Sequence, residues 1–557
     1  MKNTLPHPQK AAKLLVNCLE QHSVEFIFCI PGAKIDAVFD ALLDSSIRMI
    51  VCRHEQNAGF MAAAYGRLTG KPGVVLVTSG PGVGNLTTAL LTATTEGDPV
   101  VAIGGNVARN MKLKESHQST DNLKLMQGTS KAQMEVLSAD TIPEVIMNAF
   151  RIASRPRSGA VFISLPQDVA SEMTHVTADA PIHDGHFGPA ASTVLSKTTE
   201  LLCQAKRPIL LLGMEASRPD NTAAIRSFLK THPLPVVSTY QAAGVISKDL
   251  LPLFVGRVGL FKNQPGDQLL DAADLILSIG FDPVEYDPEI WNITQNTPII
   301  HLDYQPCDIR LPYQPILEVL GDIAENINAL AKEIFQQGNP SFASAACGQE
   351  RQEGLDYPLM QQEPKPDTLH PLQIIKALQT LLTDTTTLTC DIGSHYIWLA
   401  RHLLSFNPHQ LLFSNGQQTL GVALPWAMAA TLARPNHKVI SVSGDGGFLF
   451  SSMELETAVR EKMNFVHIVW VDGFYDMVKE QQLIKYKRDS AVTLGRVDIV
   501  KFAEAFGATG YRVTKEADLL PTLQKALAQQ GPVLIEIPVD YRDNPALFSS
   551  THVDVGG

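Results

Sequence analysis

Two aspartates in the last third of the sequence have the type and spacing to hold a divalent cation. Asp445 lies in the glycine-rich stretch "SVSGDGGFLF", and Asp472 follows 27 residues later at the end of the apolar run "FVHIVWVD". Because the carboxyl ends of neighbouring parallel strands meet at one edge of a sheet, we expect both carboxylates at that edge. Such oxygens suit a hard cation, and the amides of Gly446 and Gly447 could contact phosphate beside it. The pattern favours a metal-bridged diphosphate site.

Other interpretations of the same loop are weaker. The dinucleotide fingerprint G-x-G-x-x-G, counted from Gly444, fails at Leu449, and the sequence G-x-x-x-x-G-K-[ST] does not occur. A lone G-D-G is more often a strand-to-helix turn in which the aspartate, here Asp445, caps the helix. The second carboxylate, Asp472, shifts the balance towards a metal site.

The elements that must position these residues follow a regular rhythm. Short β-rich runs alternate with amphipathic helical runs, which indicates parallel sheets wrapped by helices. The rhythm pauses at residues 174–192 and in the polar, Pro- and Gln-rich segment 336–367. We therefore predict three successive doubly wound α/β domains, at residues 1–175, 190–335 and 368–557. The first and third share a strand, S-G-x-G turn, helix and strand, which either duplication or chance could produce.

Composition excludes several classes of function. The 557 residues are 45% hydrophobic and 18% charged, and the net charge of -12 comes without a long basic run. Nucleic acid and anionic membrane surfaces are therefore not expected partners. The seven dispersed cysteines indicate neither disulfides nor a zinc site. No signal peptide or membrane-spanning run is present, so we predict a reduced, cytoplasmic enzyme that acts on small molecules.

With these motifs the sequence resembles the thiamine diphosphate (ThDP) enzymes. The resemblance implies that Asp445, Asp472 and the main-chain carbonyl of Phe474 bind Mg²⁺. It also implies that Glu55, at the start of "EQNAGFMAAAYGRLTG", hydrogen-bonds the aminopyrimidine of the cofactor and promotes its activation. Alone, Glu55 would be an ordinary first-turn acid that complements a helix dipole. The asparagine pair usual in these enzymes is replaced by Val471 and Asp472, which makes the site more anionic.

Longer runs, among them "DIGSHYIW", "SNGQQTLGVALPWA" and "IPVDYRDNP", resemble the catabolic acetolactate synthases. The resemblance implies that the enzyme decarboxylates pyruvate and condenses the hydroxyethyl unit with a second pyruvate, giving 2-acetolactate and CO₂. Whether the product serves acetoin or valine formation stays open. A homodimer is implied as the minimum, in which Glu55 faces the partner subunit's Asp445. Homotetramers are common among relatives, and no regulatory subunit is expected.

The resemblance also assigns contacts to the cofactor and the substrate. The implied cofactor-binding residues, besides Glu55, are Gly32, Ser394, His395, Gln418, Leu420, Gly446, Gly447, Tyr475 and Met477. Around the reacting carbon it implies Gln118, Lys131 and Gln481, each of which is by default a solvated polar side chain. Biosynthetic relatives carry tryptophan at the position of Gln481, so glutamine favours pyruvate as the acceptor. The adjacent Lys479 and Glu480 replace a more apolar pair and leave the pocket wall undefined.

FAD is predicted to be absent. Biosynthetic relatives bind a non-redox FAD near an "RFDDR" segment, whereas this chain reads "SIGFDPVEYDPEIW", with Pro283 and no arginine. Rival functions are a flavin-dependent pyruvate oxidase, a 2-oxoacid decarboxylase and a nucleotide-linked oxidoreductase. A further alternative is an inactive ThDP-fold protein that serves as a binding or regulatory subunit.

Overall fold

The protein is described by a computed structural model at residues 7–112, 114–182, 185–294, 297–338 and 364–548. Three six-stranded parallel sheets follow one another along the chain, with helices between their strands. The predicted succession of three doubly wound α/β domains is confirmed. Most of the predicted pause at 336–367 lies outside the described residues. Within these ranges, no helix combines the length and apolar character that crossing a bilayer requires.

The first domain carries Glu55 at the edge of its sheet. Its strands are β1 Gln9–Lys10, β2 Phe26–Cys29, β3 Arg48–Val51, β4 Gly73–Val77, β5 Val100–Asn106, β6 Ala132–Glu135, β7 Ala160–Pro166 and β8 Met173–Thr174. Its α-helices are Ala11–Gln21, Asp36–Leu42, Glu55–Thr69, Pro81–Gly84, Thr87–Glu96, Asn122–Met126, Ile142–Ser154 and Gln167–Ala170. The main sheet has the order β3-β2-β4-β5-β7-β6, and β1 pairs with β8. The carboxyl ends of β3 and β4 therefore bring Glu55 and the helix Pro81–Gly84 to one edge.

The second domain has a different strand order. Its strands are β9 Pro208–Leu212, β10 Val236–Thr239, β11 Phe254–Val258, β12 Leu275–Ile279, β13 Ile299–Asp303 and β14 Leu317–Leu320. Its α-helices are Ser192–Gln204, Pro219–Thr231, Pro265–Ala272, Pro288–Trp291 and Ile323–Gln336. The order β11-β10-β9-β12-β13-β14 reverses direction between β9 and β12. Doubly wound sheets bind ligands in the crevice at such a reversal.

The third domain carries both aspartates. Its strands are β15 Thr386–Cys390, β16 Leu411–Leu412, β17 Lys438–Gly444, β18 Val466–Val471, β19 Thr509–Arg512 and β20 Val533–Pro538. Its α-helices are Pro371–Leu381, Ser394–His402, Ala423–Ala433, Asp445–Leu449, Leu455–Arg460, Asp476–Tyr486, Ile499–Ala505, Glu516–Leu527 and Asn544–Phe548. The order is β16-β15-β17-β18-β20-β19. When the strands of each sheet are numbered from the first strand of that sheet, the first and third domains have the same strand order. This common order accounts for the motif shared by the two domains.

The first and third domains share one hydrophobic core. The Ala-rich helices Glu55–Thr69 and Ala423–Ala433 pack against each other and belong to the same cluster of buried residues. Their small side chains let the two backbones approach closely, which explains why neither helix has a strong apolar stripe. The guanidinium of Arg67 lies 4.6 Å from the centre of the Trp426 ring at this contact. The helix that carries Glu55 is therefore packed against the domain that carries the aspartates.

Candidate active site

Asp445 and Asp472 lie on two loops that are hydrogen-bonded to each other. β17 and β18 are adjacent and parallel, so the residues that follow them leave the sheet side by side. Oδ1 of Asp445 accepts from the amide of Gly446 at 3.0 Å, and Oδ2 accepts from the amide of Gly473 at 2.9 Å. Oδ1 of Asp472 accepts from the amide of Phe474 at 3.4 Å. The structure thus brings together all three residues predicted to bind the metal.

This edge of the sheet carries concentrated negative charge. Burial, the Asp476 carboxylate and the Asp445 carboxylate together raise the pKa of Asp472 to about 8. Burial also raises the pKa of Asp445 above its usual range. A divalent cation between Asp445 and Asp472 would favour the ionised form of both, so the electrostatics of the site fit a bound metal.

Asp476 was missed by sequence reasoning. Its Oδ2 accepts from Oγ of Ser394 at 2.6 Å and also from Nδ2 of Asn544. The indole nitrogen of Trp398 donates to Oδ1 of Asn544 at 2.7 Å. Asp476 therefore fixes the orientation of Ser394, a predicted cofactor-binding residue. The sequence marks Asp476 only as an acid in the first turn of a helix, and such acids are common.

The glycines after Asp445 leave room that larger residues would close. A β-carbon added to Gly446 would lie 2.7 Å from Cε1 of Tyr475, and one added to Gly447 would lie 2.8 Å from Oδ1 of Asp391. These distances are shorter than van der Waals contact, so only glycine fits at either position without displacing a neighbouring side chain. Tyr475 and both glycines, all predicted to bind the cofactor, thus lie together.

His395 presents an open hydrogen-bonding position beside this loop. The side chain is buried, and its Nε2 has no hydrogen-bond partner among the described residues. A β-carbon added to Gly444 would lie 3.5 Å from its ring. Burial lowers the pKa of His395 to about 3, so the imidazole is neutral at physiological pH. A buried polar atom without a partner is costly unless a ligand satisfies it, and a phosphate oxygen would accept from this nitrogen.

Asp391, which the sequence did not single out, holds the segment that contains Gln418 and Leu420. Its carboxylate accepts from the amides of Gly421 at 2.9 Å and Ala423 at 3.1 Å, and burial raises its pKa to about 6. Gln418 has a φ of 47°, which turns the chain sharply before Leu420. Leu420 is partly buried against the core of the third domain, as is the predicted cofactor contact Met477.

Glu55 begins its helix in the first domain and lies beside a turn. Its Oε2 accepts from Nδ2 of Asn85 at 2.8 Å. Oε1 would lie 3.6 Å from a β-carbon added to Gly82, and that position is also close to Thr78. Gly32 packs against the same threonine, because a β-carbon there would lie 2.5 Å from Cβ of Thr78. The structure thus brings Glu55 and Gly32 together around the turn after β4.

Gln118 lies at the same turn. Its Oε1 accepts from Oγ of Ser79 at 3.4 Å, and its Cβ would lie 3.1 Å from a β-carbon added to Gly80. The backbone of Gln118 has a φ of 59°, which is uncommon for a residue with a side chain. Strained backbone of this kind is frequent at functional sites. The position of Gln118 is compatible with its predicted place near the reacting carbon.

Lys131 contacts the protein backbone in this structure. Its Nζ donates to the main-chain carbonyls of Ile152 at 2.7 Å, Arg155 at 3.0 Å and Arg157 at 2.6 Å. These three contacts use every N–H of the ammonium group and fix the end of the helix Ile142–Ser154. Among the described residues, no hydrogen bond joins Lys131 to Glu55 or Gln118, and its role at the reacting carbon stays a prediction.

Gln481 lies on the exposed face of the helix Asp476–Tyr486. On the same helix, Nζ of Lys479 lies 3.5 Å from the centre of the Phe474 ring. A cation over an aromatic face is a favourable contact. Because Gln481 is free of buried packing, a partner molecule or substrate could reach it.

Within one chain, Glu55 and the aspartates form two separate clusters. In the described ranges, no hydrogen bond or ion pair joins Glu55 to Asp445 or Asp472. The residues that follow Asp445 include exposed apolar side chains: Leu449 is 40% exposed, Phe450 46% and Met453 37%. Exposed apolar side chains grouped in this way commonly mark an interaction surface.

Comparisons with known proteins agree with this geometry. Family models of thiamine pyrophosphate enzymes match residues 9–126 as the N-terminal TPP-binding domain, 195–330 as the central domain and 391–537 as the C-terminal TPP-binding domain. The chain is 53% identical to an acetolactate synthase of Bacillus subtilis, over 97% of this chain and 95% of the relative. It is 48% identical to a catabolic acetolactate synthase of Raoultella terrigena over 97% of each. It is 29% identical to the large subunit of acetolactate synthase isozyme 2 of Escherichia coli over 96% of each. The chain therefore belongs to the acetolactate synthase family of thiamine diphosphate enzymes.

Proposed function

We propose that the protein converts two pyruvate molecules and one proton into 2-acetolactate and CO₂. The observation that carries this proposal is the pairing of a diphosphate and metal site at Asp445 with a pyrimidine site at Glu55, in a chain of this family. One pyruvate loses its carboxylate as CO₂, and the remaining two-carbon unit bonds to the keto carbon of the second. The proton ends on the new hydroxyl group, so charge and atoms balance.

The residues of the third domain fit ThDP held by Mg²⁺. Asp445, Asp472 and the carbonyl of Phe474 would bind the ion, while His395 and the amide of Gly447 would contact the diphosphate. In the part of the chain that the structure describes, no three His, Cys, Asp or Glu side chains are arranged as a metal cage. Mg²⁺ does not need one, because it usually takes one or two carboxylates and completes its shell with phosphate and water.

The protein's own side chains then prepare the reaction. Bound ThDP supplies the electron sink for decarboxylation. Glu55 exchanges a proton with the aminopyrimidine ring, and Asn85 holds its carboxylate in place through the 2.8 Å hydrogen bond. Leu420, partly buried against the core of the third domain, would support the cofactor. Gln118 and Gln481 would orient pyruvate.

We further propose that the active unit is at least a homodimer, with a homotetramer as the expected assembly and without a regulatory subunit. In the described ranges no hydrogen bond or ion pair joins Glu55 to Asp445 of the same chain, which agrees with a site completed by the partner subunit's Asp445. The exposed Leu449, Phe450 and Met453 beside the glycine loop would be covered by the partner. A fully active monomer would contradict the dimer.

FAD is proposed to be absent. A cavity of about 630 Å³ lies at the carboxyl edge of the second sheet, where a flavin nucleotide would be expected. Arg157 and Asp282 form an ion pair there, and burial raises the pKa of Asp303 to about 7. The cavity lining mixes these acids with Lys131, Arg157 and Arg310, so the proposal rests on the replacement of the "RFDDR" segment by "SIGFDPVEYDPEIW". Stoichiometric flavin absorbance in the purified protein would contradict the proposal.

The test of the function is incubation of the purified protein with pyruvate, ThDP and Mg²⁺. Acid treatment converts acetolactate to acetoin and releases a further CO₂, so the CO₂ formed before acidification should equal the acetoin recovered after it. The matched control is Glu55→Gln, which keeps the size of the side chain and removes its acid–base role. A pyruvate oxidase would give acetate or acetyl phosphate, and a decarboxylase would give acetaldehyde. Bound ThDP without acetoin would refute the proposed synthase.

A further inference from the structure

Glu454 is a buried carboxylate that the proposed chemistry does not use. It ends the turn Ser452–Glu454 in the third domain, nine residues after Asp445, and its exposed fraction is 0%. Its Oε1 accepts from the main-chain amides of Arg53 at 2.8 Å and His54 at 3.0 Å. These are the two residues that directly precede Glu55, although about 400 positions separate them from Glu454 in the sequence.

Two further contacts fix the Glu454 carboxylate itself. Nδ2 of Asn57 donates to Oε1 at 3.2 Å, and Oγ1 of Thr457 donates to Oε2 at 2.8 Å. Both carboxylate oxygens are therefore engaged, and rotation of the group would break hydrogen bonds on either side. Asn57 belongs to the helix that Glu55 begins, so one carboxylate holds both the approach to the helix and its first turn.

Glu454 holds the backbone that precedes Glu55, whereas Asn85 holds the Glu55 carboxylate. His54 caps the helix, because its Nδ1 accepts from the amide of Gln56 at 3.1 Å. Glu454 holds the amide of that same capping residue. Asn85 binds the Glu55 carboxylate, so backbone and side chain of the catalytic residue are fixed separately. An error of about 1 Å in a reacting group can cost about a hundredfold in rate.

The hydrogen bonds that Glu454 accepts hold one particular backbone segment and do more than link two domains. All four donors to Glu454 are neutral, and burial of a carboxylate costs free energy that burial of an amide largely avoids. Arg53 and Glu456 form an exposed ion pair nearby, 4.0 Å apart. Such a surface ion pair would hold this segment more weakly than the buried contacts of Glu454 do. The buried, fully bonded carboxylate instead gives a rigid support to one particular backbone segment.

We propose that Glu454 is a positioning residue for Glu55: it holds the amides of Arg53 and His54 so that the Glu55 carboxylate meets the aminopyrimidine ring. The inference rests on the proposed role of Glu55 in ThDP activation. It adds a direct connection between the segment that follows the metal-binding loop and the residue that activates the cofactor.

The test compares three variants with the wild-type protein. Glu454→Ala removes the acceptors, while Glu454→Gln keeps Oε1 for Arg53, His54 and Asn57. Glu456→Ala, two residues away on the surface, is the matched control. Amide hydrogen exchange is measured on the protein without ThDP, and exchange of the C2 proton of ThDP is measured with cofactor bound. Tryptophan fluorescence gives the Kd of ThDP.

We expect faster amide exchange at Arg53 and His54 in Glu454→Ala alone. In that variant, C2 exchange should fall between about tenfold and a hundredfold, while Glu454→Gln and the control keep wild-type rates and all variants keep the Kd within about threefold. If Glu454→Ala does not fold, Glu454→Asp keeps the charge, shortens the reach and should also slow C2 exchange. Wild-type C2 exchange in Ala or Asp, or slow exchange in Gln, overturns the role of Glu454. A wild-type protein that binds ThDP without exchanging its C2 proton refutes instead the proposed function of Glu55.

Discussion

The amide of Gly473 donates a hydrogen bond of 2.9 Å to Oδ2 of Asp445, and this contact joins the two loops of the metal site. Because Asp472 directly precedes Gly473, its carboxyl group is held close to that of Asp445. Burial, the Asp476 carboxylate and this proximity to Asp445 together raise the pKa of Asp472 to about 8. Holding the two carboxyl groups together lowers the stability of the folded protein, and it forms a site for a cation.

Substitutions of Asp445 and Asp472 should show whether the metal site needs the negative charge of each side chain or only its oxygen ligand. Asp472→Asn keeps a carbonyl oxygen, so metal-dependent ThDP binding should survive, while Asp472→Leu and Asp445→Ala should abolish it. Titration of ThDP with and without Mg²⁺, followed by tryptophan fluorescence, measures the effect. The exposed Asp489→Asn serves as control. Unchanged Mg²⁺-dependent affinity in Asp445→Ala would show that the ion binds elsewhere.

Replacement of Glu55 should slow cofactor activation without preventing binding. Glu55→Gln cannot exchange a proton with the pyrimidine, so C2 exchange of ThDP should fall by about 10² to 10⁴-fold. Asn85→Ala should give a smaller decrease, because it removes only the 2.8 Å hydrogen bond that orients the carboxylate. NMR of quenched samples follows the exchange. Equal rates in Glu55→Gln and wild type would remove Glu55 from the activation step.

The fold was predictable because its signals are local. Alternation of β-rich and helical runs fixes parallel sheets, and the two polar pauses separate three of them. The pairing of Asp445 with Asp472 also follows locally, since consecutive strands β17 and β18 are neighbours in the sheet. The sequence does not indicate the strand order of the second sheet in this way. That order depends on the side of the sheet on which each connecting helix crosses over to the next strand.

The contacts that sequence reasoning did not anticipate join distant segments. Asp391 is recognised by the amides of Gly421 and Ala423, about 30 positions later. Lys131 was assigned from the family resemblance, and its three carbonyl partners lie at the end of a helix more than 20 residues away. Glu454 is paired with the start of the first domain's helix. In each case the decisive partner is a main-chain group, which residue types do not reveal.

His395 should contribute a neutral hydrogen bond to ThDP affinity. With its pKa lowered to about 3 by burial, the imidazole is uncharged throughout the physiological range. His395→Ala should therefore weaken ThDP binding by about tenfold, the value of roughly 1.4 kcal/mol for one good hydrogen bond. The loss should be the same at pH 6 and pH 8. The exposed His186→Ala is the control, and a pH-dependent loss at His395 would indicate a charged imidazole.

Gln481→Trp should change the choice of acceptor. The side chain is exposed on the helix Asp476–Tyr486, so tryptophan can be accommodated without loss of core packing. In an equimolar mixture of pyruvate and 2-oxobutyrate, the fraction of product formed from 2-oxobutyrate should rise. Chromatography of the two products measures the ratio. Lys485→Trp, one turn further on, controls for added apolar surface, and the same shift in both variants would exclude a specific role for Gln481.

Glu285 should make stability decrease as pH rises from about 5 to 8. The side chain is buried in the second domain, where Oε1 accepts from Thr239 at 2.6 Å and Oε2 from the amide of Met214 at 3.0 Å. Burial raises the pKa of Glu285 to about 8 from its usual value of 4.5. Between these values the folded state keeps a proton that the unfolded state releases. The stabilisation is therefore complete below the lower value and is lost through the higher one, by at most about 1.4 kcal/mol per pH unit.

Glu285→Gln removes this titration while keeping the acceptor for Met214 and the contact with Thr239. The thermal unfolding midpoint of the variant should fall less steeply between pH 5 and 8 than that of wild type, so the two curves converge at low pH and separate as pH increases. Differential scanning fluorimetry in buffers of matched ionic strength measures both curves. The exposed Glu289→Gln is the control and should follow wild type. Parallel curves for Glu285→Gln and wild type would mean that Glu285 is ionised in the folded protein, with its charge satisfied by the surrounding donors.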